Sequence, residues 1–291
     1  MSPPRPPGRP KGAVPPGGRL AQRASGGSPP RPLAGMPAAV RRGIRGVLTD
    51  IDDTLTTHGR LTPQAYAALA RLDEAGKLVV PITGRPAGWC DHIARMWPVD
   101  GVVGENGALW MRYDAPRRRL VRAWAAGEDE RRANRERLAA VASRVLREVP
   151  GTALASDQPY READIAIDFC EDVLPLPRAA VDRIVAIMEA EGLTAKVSSI
   201  HVNGWFGRYD KLGMTKRLFA EAFGIDLDAE RDRFVFAGDS PNDAPMFAYF
   251  PNAVGVANVR GFLDRIATPP AWITQGEAGE GFVELVDALL E

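Results

Sequence analysis

At 291 residues, with 45% hydrophobic and 25% charged side chains and a net charge of zero, the chain has an ordinary globular composition. It is long enough for two domains, or for one domain with a large insertion. No apolar run approaches the roughly 20 residues needed to cross a bilayer, which argues against a membrane-spanning class.

Charge is unevenly spread. Residues 1–49 carry nine basic side chains (Arg5, Arg9, Lys11, Arg19, Arg23, Arg31, Arg41, Arg42 and Arg45) and no acid, so the remainder is negative by nine. A negative body argues against a nucleic-acid-binding core, which needs a basic face. Residues 1 to about 40 also hold 11 of the 25 prolines and seven of the 29 glycines, with few aromatic or β-branched residues. Such a segment buries too little apolar surface to offset its ordering entropy, which predicts a disordered basic tail over residues 1–42. It has no apolar core of a secretory signal, and Met36 offers an alternative start to the chain. Cys90 and Cys170 form no disulfide framework and no metal-type spacing, as expected of reduced thiols in a cytoplasmic protein.

The first structured stretch is Gly46-Val47-Leu48-Thr49, a short apolar run that ends in Asp50-Ile51-Asp52-Asp53-Thr54. This reads as a buried parallel strand cut off at its carboxyl end, the edge of an open α/β sheet where ligands bind. Asp50 and Asp52 share parity along an extended backbone and face one cavity. Thr62-Pro63 then supplies an N-cap and a first-turn proline for a helix carrying Ala65, Leu69 and Leu72, closed by Gly76. Leu78 to Ile82 is a second strand, delivering Thr83, Gly84 and Arg85. A helix follows through Trp89, Ile93 and Trp97, and Asn106-Gly107 between two apolar runs signals a hairpin.

From about 115 to 200 the pattern suggests a separate α/β unit. It opens with a strand at Leu120 to Trp124 and a charged helix from Glu128 to Glu148, followed by a half-buried strand in which Ile165, Ile167 and Phe169 alternate with Ala166 and Asp168. A helix over 178–191 and strands near 195–198 and 200–203 complete it. Lys211 opens a helix that stops at Gly224, and Phe234 to Ala237 is a strand delivering Gly238-Asp239-Ser240-Pro241-Asn242-Asp243. Two further strands, near 253–257 and 271–274, and a closing helix over 281–290 end the chain. If these strand ends converge, four carboxylates, a hydroxyl and an ammonium share one site. Hard oxygen ligands of that kind suit Mg²⁺, and the set suits phosphoryl transfer.

These residues resemble the haloacid dehalogenase superfamily. Its Asp-x-Asp-x-Thr motif is matched by Asp50 to Thr54, its Ser/Thr motif by Thr83, its lysine by Lys211, with Lys216 as the alternative, and its Gly-Asp-Ser-x-Asn-Asp motif by Gly238 to Asp243. Thr83-Gly84-Arg85, Glu105 to Ala108 and the large insertion are similar to the Cof-like branch, which includes sugar-phosphate phosphatases such as the sucrose-phosphate and mannosylphosphoglycerate enzymes. Asp53 departs from the glycine that many members of the branch carry.

The resemblance implies an α/β fold with a Rossmann-like parallel-sheet core, residues 43–112 and 204–291, and an inserted α/β cap, residues 113–203. It implies a Mg²⁺-dependent phosphatase acting on a small phosphorylated metabolite such as a sugar phosphate. Asp50 would be the nucleophile and Asp52 the general acid/base; Thr83, Gly84, Arg85, Lys211 and Asn242 would bind the phosphorylated substrate. Asp50, Asp52 through its backbone carbonyl, Asp239 and Asp243 would form the metal site. Retention of Asp52 favours hydrolysis over a long-lived phosphoenzyme. Arg161, Asp168, His201, Asn203 and Trp205 are candidate substrate contacts from the cap. The competing readings are a phosphosugar mutase and a non-catalytic binding module. Neither a nucleic acid nor a membrane is expected as a partner.

Overall fold

A computed structural model describes residues 29–291 of the chain. Of the tail expected to be disordered, residues 1–28 therefore lie outside the described residues. The rest of it is folded: Arg31–Pro32 forms a strand, the helix Ala38–Gly43 takes up its end, and Leu33 and Met36 are buried. Proline and glycine content hid these two apolar anchors, which pack with Phe282 and Leu285 of the C-terminal helix.

The core is a six-stranded parallel sheet in the order Arg31–Pro32, Trp272–Ile273, Val254–Gly255, Phe234–Gly238, Gly46–Thr49 and Leu78–Pro81. From Gly46–Thr49 the chain winds outward to Leu78–Pro81. The later strands wind the other way from Phe234–Gly238. The order thus reverses between the two central strands, and a crevice opens at their carboxyl ends. Phe234 pairs with Gly46 and Ala237 with Thr49, so both strands end at the same level.

Both faces of the sheet are covered, which is why its strands are apolar on both sides. One face packs Leu69 and Leu72 of the Pro63–Glu74 helix and Phe282 and Leu285 of Ala278–Leu290 against Val47, Val79 and Val235. The other packs Met214, Leu218 and Phe219 against Leu48, Val80 and Phe236. Thr62 caps its helix as expected, accepting from the Ala65 amide at 3.2 Å.

Val102–Gly104, Leu109–Asp114 and Arg119–Trp124 form a separate antiparallel sheet, tied to the core by the Ile82–Val103 bridge. The strand expected to open the inserted unit therefore pairs with Leu109–Asp114, and its Val121 and Ala123 pack on the core. The insertion proper begins with the helix Glu128–Glu148. It comprises that helix, the helix Arg178–Ala190 and an antiparallel sheet ordered Thr194–Val197, His201–Trp205, Asp164–Asp168 and Ala153–Leu154. His201–Trp205 extends the unit past residue 203, because its last two residues still pair with Ala195 and Thr194. The strand expected to be half-buried is buried throughout, with Asp164 and Asp168 among its enclosed residues.

Candidate active site

Gly46–Thr49 ends directly at Asp50, whose amide donates to Ala237 O at 2.9 Å and fixes it at the mouth of the crevice. The chain then turns tightly: the amides of Leu55 and Thr56 both donate to Ile51 O, at 3.0 and 2.9 Å. Within this turn Asp53 has φ +56°, a left-handed conformation that glycine adopts freely and aspartate tolerates. That accounts for both residues occurring at this position. Asp53 lies beside the metal-type cluster without joining it.

Lys211 begins the helix Lys211–Leu218, whose first turn is capped by Asp210 accepting from the Gly213 amide at 2.7 Å. Its buried ammonium lies 2.7 Å from Asp50 Oδ1 and 2.9 Å from Asp243 Oδ1. The alternative, Lys216, instead meets Asp228 at 2.7 Å, away from this cluster. Phe234–Gly238 delivers Asp239, which accepts from Thr54 Oγ1 and from Asn258 Nδ2, each at 3.2 Å. Asp243 Oδ2 accepts the Asp239 amide at 3.2 Å, closing the loop that holds Asp239. Thr83 is fully buried, and its Oγ1 accepts the Arg85 amide at 3.0 Å. Ser240 Oγ donates to Asn242 Oδ1 at 2.7 Å.

Oxygen atoms of Asp50, Asp239 and Asp243, one from each, lie within 4.8 Å of one another, and all three residues are buried. Burial pushes the Asp50 carboxyl up to about 7; Lys211 pulls it down, while Asp243 and Asp52 raise it further. Burial, with Asp243 and Asp50 beside it, likewise holds Asp239 well above the carboxylate range. Burial alone would lower the Lys211 ammonium, but Asp243 and Asp50 outweigh it and keep it charged. One ammonium among three enclosed carboxylates leaves excess negative charge, the donor set of a hard divalent cation. Both Asp243 oxygens and both Asp239 oxygens already accept hydrogen bonds, so Asp50, whose Oδ1 alone meets Lys211, has the least engaged oxygen.

Arg85 occupies a place the sequence did not reveal. Its guanidinium reaches Asp52 Oδ1 at 2.8 Å, Asp157 Oδ2 at 3.2 Å and Glu171 Oε1 at 2.9 Å, and stacks over the Trp89 ring at 4.5 Å. Expected to bind the phosphorylated substrate, it is committed instead to three carboxylates, two of them on the insertion. Glu171 continues this network to His201 Nε2, 2.9 Å away. Burial would raise the Glu171 carboxyl, but His201 and Arg85 hold it down at about 2.

The expected cap contacts divide. Arg161 is enclosed and donates to Gly84 O at 2.9 Å and Asp164 Oδ1 at 3.0 Å, with Asp157 Oδ1 also 3.0 Å away. Asp168 accepts the amides of Cys170, Glu171 and Asp172 and so shapes a turn. Trp205 is fully buried and stacked on Tyr209. His201 and Asn203, with Ser198 to Ile200, line a cleft opposite Asp50, Asp52, Gly84 and Asn242. Its volume of about 20 Å³ holds little more than one water.

Two residues that position the site were not singled out from the sequence for that role. Asn258 ties Asp239 to Asp53 O, 2.9 Å away, and stands in no motif. Buried Glu105 accepts from Ala87 N at 2.8 Å and from two amides of the insertion, Glu162 at 2.9 Å and Ala163 at 2.6 Å. Its place in the Glu105-Asn106-Gly107-Ala108 stretch was the available signal.

The model of the haloacid dehalogenase-like hydrolases matches residues 47–121. A phosphoglycolate phosphatase of Methanospirillum hungatei is 29% identical over 253 residues, 84% of this chain and 95% of that protein. Among solved structures, Thermoplasma acidophilum 0175 superposes with a TM-score of 0.65 at 18% identity, over 85% of this chain and 98% of the other. The trehalose-6-phosphate phosphatase C-terminal domain of Candida albicans gives a TM-score of 0.66 at 12% identity, over 89% and 98%. That match, the relative alike over most of the chain and the shared architecture make the haloacid dehalogenase-like hydrolases the family that this chain is similar to. Phosphoric monoester hydrolysis is the activity that the name of its Methanospirillum hungatei relative carries.

Proposed function

We propose that the protein is a Mg²⁺-dependent phosphatase that acts in the cytoplasm on a small phosphorylated metabolite, a sugar phosphate, through an aspartyl-phosphate on Asp50. The observation that carries this reading is Lys211 bridging Asp50 and Asp243, beside Asp239, at the end of the two central strands. Asp50, Asp239 and the backbone carbonyl of Asp52 would hold the cation, with Asp243 supporting them. When bound, Mg²⁺ supplies positive charge to the phosphoryl oxygens and to the buried carboxylates.

The chain's own groups divide the remaining work. An Asp50 oxygen forms the bond to phosphorus while the ester oxygen departs, and the Asp52 carboxyl gives that oxygen its proton. Asp52 then takes a proton from the water that attacks phosphorus, releasing phosphate and restoring Asp50. Lys211 and Thr83 hold phosphoryl oxygens, and Asn242 orients them. Arg85 keeps Asp52 on the leaving-group side. Closure of the insertion excludes bulk water, in keeping with the small volume of the cleft.

Phosphate release from p-nitrophenyl phosphate with Mg²⁺ tests the reading. Wild-type protein is expected to turn over and Asp50→Asn to lose activity; undiminished turnover in that variant would show that the nucleophile is misassigned.

A further inference from the structure

The wall of the cleft that faces the leaving group has a charge pattern that speaks to the substrate. Two guanidinium groups stand there, and both are taken. Arg85 is held by Asp52, Asp157 and Glu171; Arg161 is held by Asp157, Asp164 and Gly84 O. His201, the remaining basic side chain on this wall, faces Glu171 at 2.9 Å. Two cations thus face four carboxylates, and among the described residues lining the cleft no cation on this side is left uncommitted. Lys211 lies on the phosphate side, between Asp50 and Asp243.

A carboxylate on the leaving group would have to draw Arg85 away from Glu171 or Asp157. That would leave Glu171 with only the His201 imidazole, or Asp157 with only the already divided Arg161. A hydroxyl meets no such obstacle, since it donates to a carboxylate and accepts from an imidazole or amide. We propose that the substrate's alcohol half is an uncharged, hydroxyl-bearing group and that carboxylated phosphate esters are rejected, with Glu171 and Asp157 enforcing the choice by occupying Arg85. This inference rests on the hydrolytic reading above. It separates the chain from what the name of its phosphoglycolate phosphatase relative would suggest. Rejection here comes from an unfavourable pairing built against the wrong ligand.

Glycerol 3-phosphate and 3-phosphoglycerate test this, because they share a three-carbon frame and differ in a hydroxymethyl against a carboxylate. With Mg²⁺, wild-type kcat/KM is expected to favour glycerol 3-phosphate by about tenfold or more. Glu171→Gln releases Arg85 and is expected to narrow that ratio by about tenfold, chiefly through a lower KM for 3-phosphoglycerate. Asp157→Asn is expected to act in the same direction, and serves if the first variant does not fold. Equal or better wild-type turnover of 3-phosphoglycerate, or an unchanged ratio in folded variants, would overturn the inference. Hydrolysis of p-nitrophenyl phosphate distinguishes the two levels. If wild type fails there, the phosphatase reading falls and the inference with it; if it succeeds while the acid is preferred, only the inference falls.

Discussion

Arg85 grips Asp52 with two nitrogens, Nη2 at 2.8 Å from Oδ1 and Nε at 3.0 Å from Oδ2. The grip joins the two motifs at the ends of Gly46–Thr49 and Leu78–Pro81. A lysine cannot hold Asp52 this way and still reach Asp157 and Glu171. Arg85→Lys is therefore expected to lower kcat on p-nitrophenyl phosphate by about 10-fold to 100-fold. Asp52→Asn, which removes the acid/base itself, should cost about 10²- to 10⁴-fold. Wild-type kcat in Arg85→Lys would show that Asp52 does not depend on this contact.

Cation binding should be visible in stability as well as in rate. A ligand that binds only the folded state adds about 2.7 kcal/mol at 100 times its Kd. Mg²⁺ is expected to raise the Tm of the wild type above its value in EDTA, and Asp239→Asn to shrink that rise. Lys211→Met leaves Asp50 and Asp243 enclosed without their ammonium. It should destabilise the metal-free protein by about 3–5 kcal/mol in chemical denaturation. An Mg²⁺ effect on Tm that is the same in Asp239→Asn as in wild type would rule out Asp239 as a ligand.

The acid limb of stability should carry the signature of Glu171. Its carboxyl sits at about 2 in the folded protein against 4.5 ordinarily. A depressed carboxyl adds stability that is fully present above about pH 4.5 and drains away as pH falls toward 2. Glu171→Gln should therefore lose stability relative to wild type at pH 6, with the gap closing as pH drops below about 4. Urea unfolding of both proteins across that range measures the gap; one that stays constant would mean the carboxyl is not depressed.

Gly107 sets the position of Lys211 from outside any catalytic motif. A Cβ at this residue, which has φ +104°, would lie 2.0 Å from Asp210 O and 2.8 Å from Lys211 N. Gly107→Ala must push the first turn of that helix away from Asp50. A displacement of about 1 Å at a reacting group costs on the order of 10²-fold, and a loss of that size is expected in kcat/KM. Near-normal kinetics would show that the turn absorbs the clash without moving Lys211.

Glu105 fastens the insertion to the core. Glu105→Gln keeps its shape but halves its acceptors and removes their charge, where each hydrogen bond to a charged group contributes about 1.5–3 kcal/mol. Faster amide exchange at Glu162 and Ala163 is expected, with smaller changes in the Gly46–Thr49 strand. Unchanged exchange at those two amides would locate the fastening elsewhere.

Much of this site was legible because strands buried on both faces leave an unmistakable trace. Val47-Leu48 and Phe234 to Ala237 are short apolar runs, and the residues after them lie at the ligand-binding edge of a parallel sheet. Lys211 was legible through its motif, and the structure separates it from Lys216. The Asn106-Gly107 signal marked a real reversal, but the loop runs from Glu105 to Ala108, and its glycine also serves a close approach to Asp210. What stayed hidden was the charged network around Arg85 and Arg161. Its partners lie 33 to 86 positions from Arg85, on separate elements, and isolated charges in sequence resemble a solvated surface. The insertion's start was misplaced because Arg119–Trp124 reads as a strand whichever sheet it joins.

The Arg31–Pro32 strand has a role that its two residues understate. It closes the outer side of Trp272–Ile273, with the Arg31 guanidinium 3.8 Å from the centre of the Trp272 ring and the Arg31 amide on Ala271 O at 3.0 Å. Pro32 has no amide hydrogen to offer a further strand, which suits the last position in a sheet. In a chain shortened to begin at Met36, Trp272–Ile273 would become the rim, presenting open backbone groups beside an uncovered indole. Such a rim is a template for intermolecular strand addition. The arm therefore covers a strand edge that would otherwise be open to such pairing.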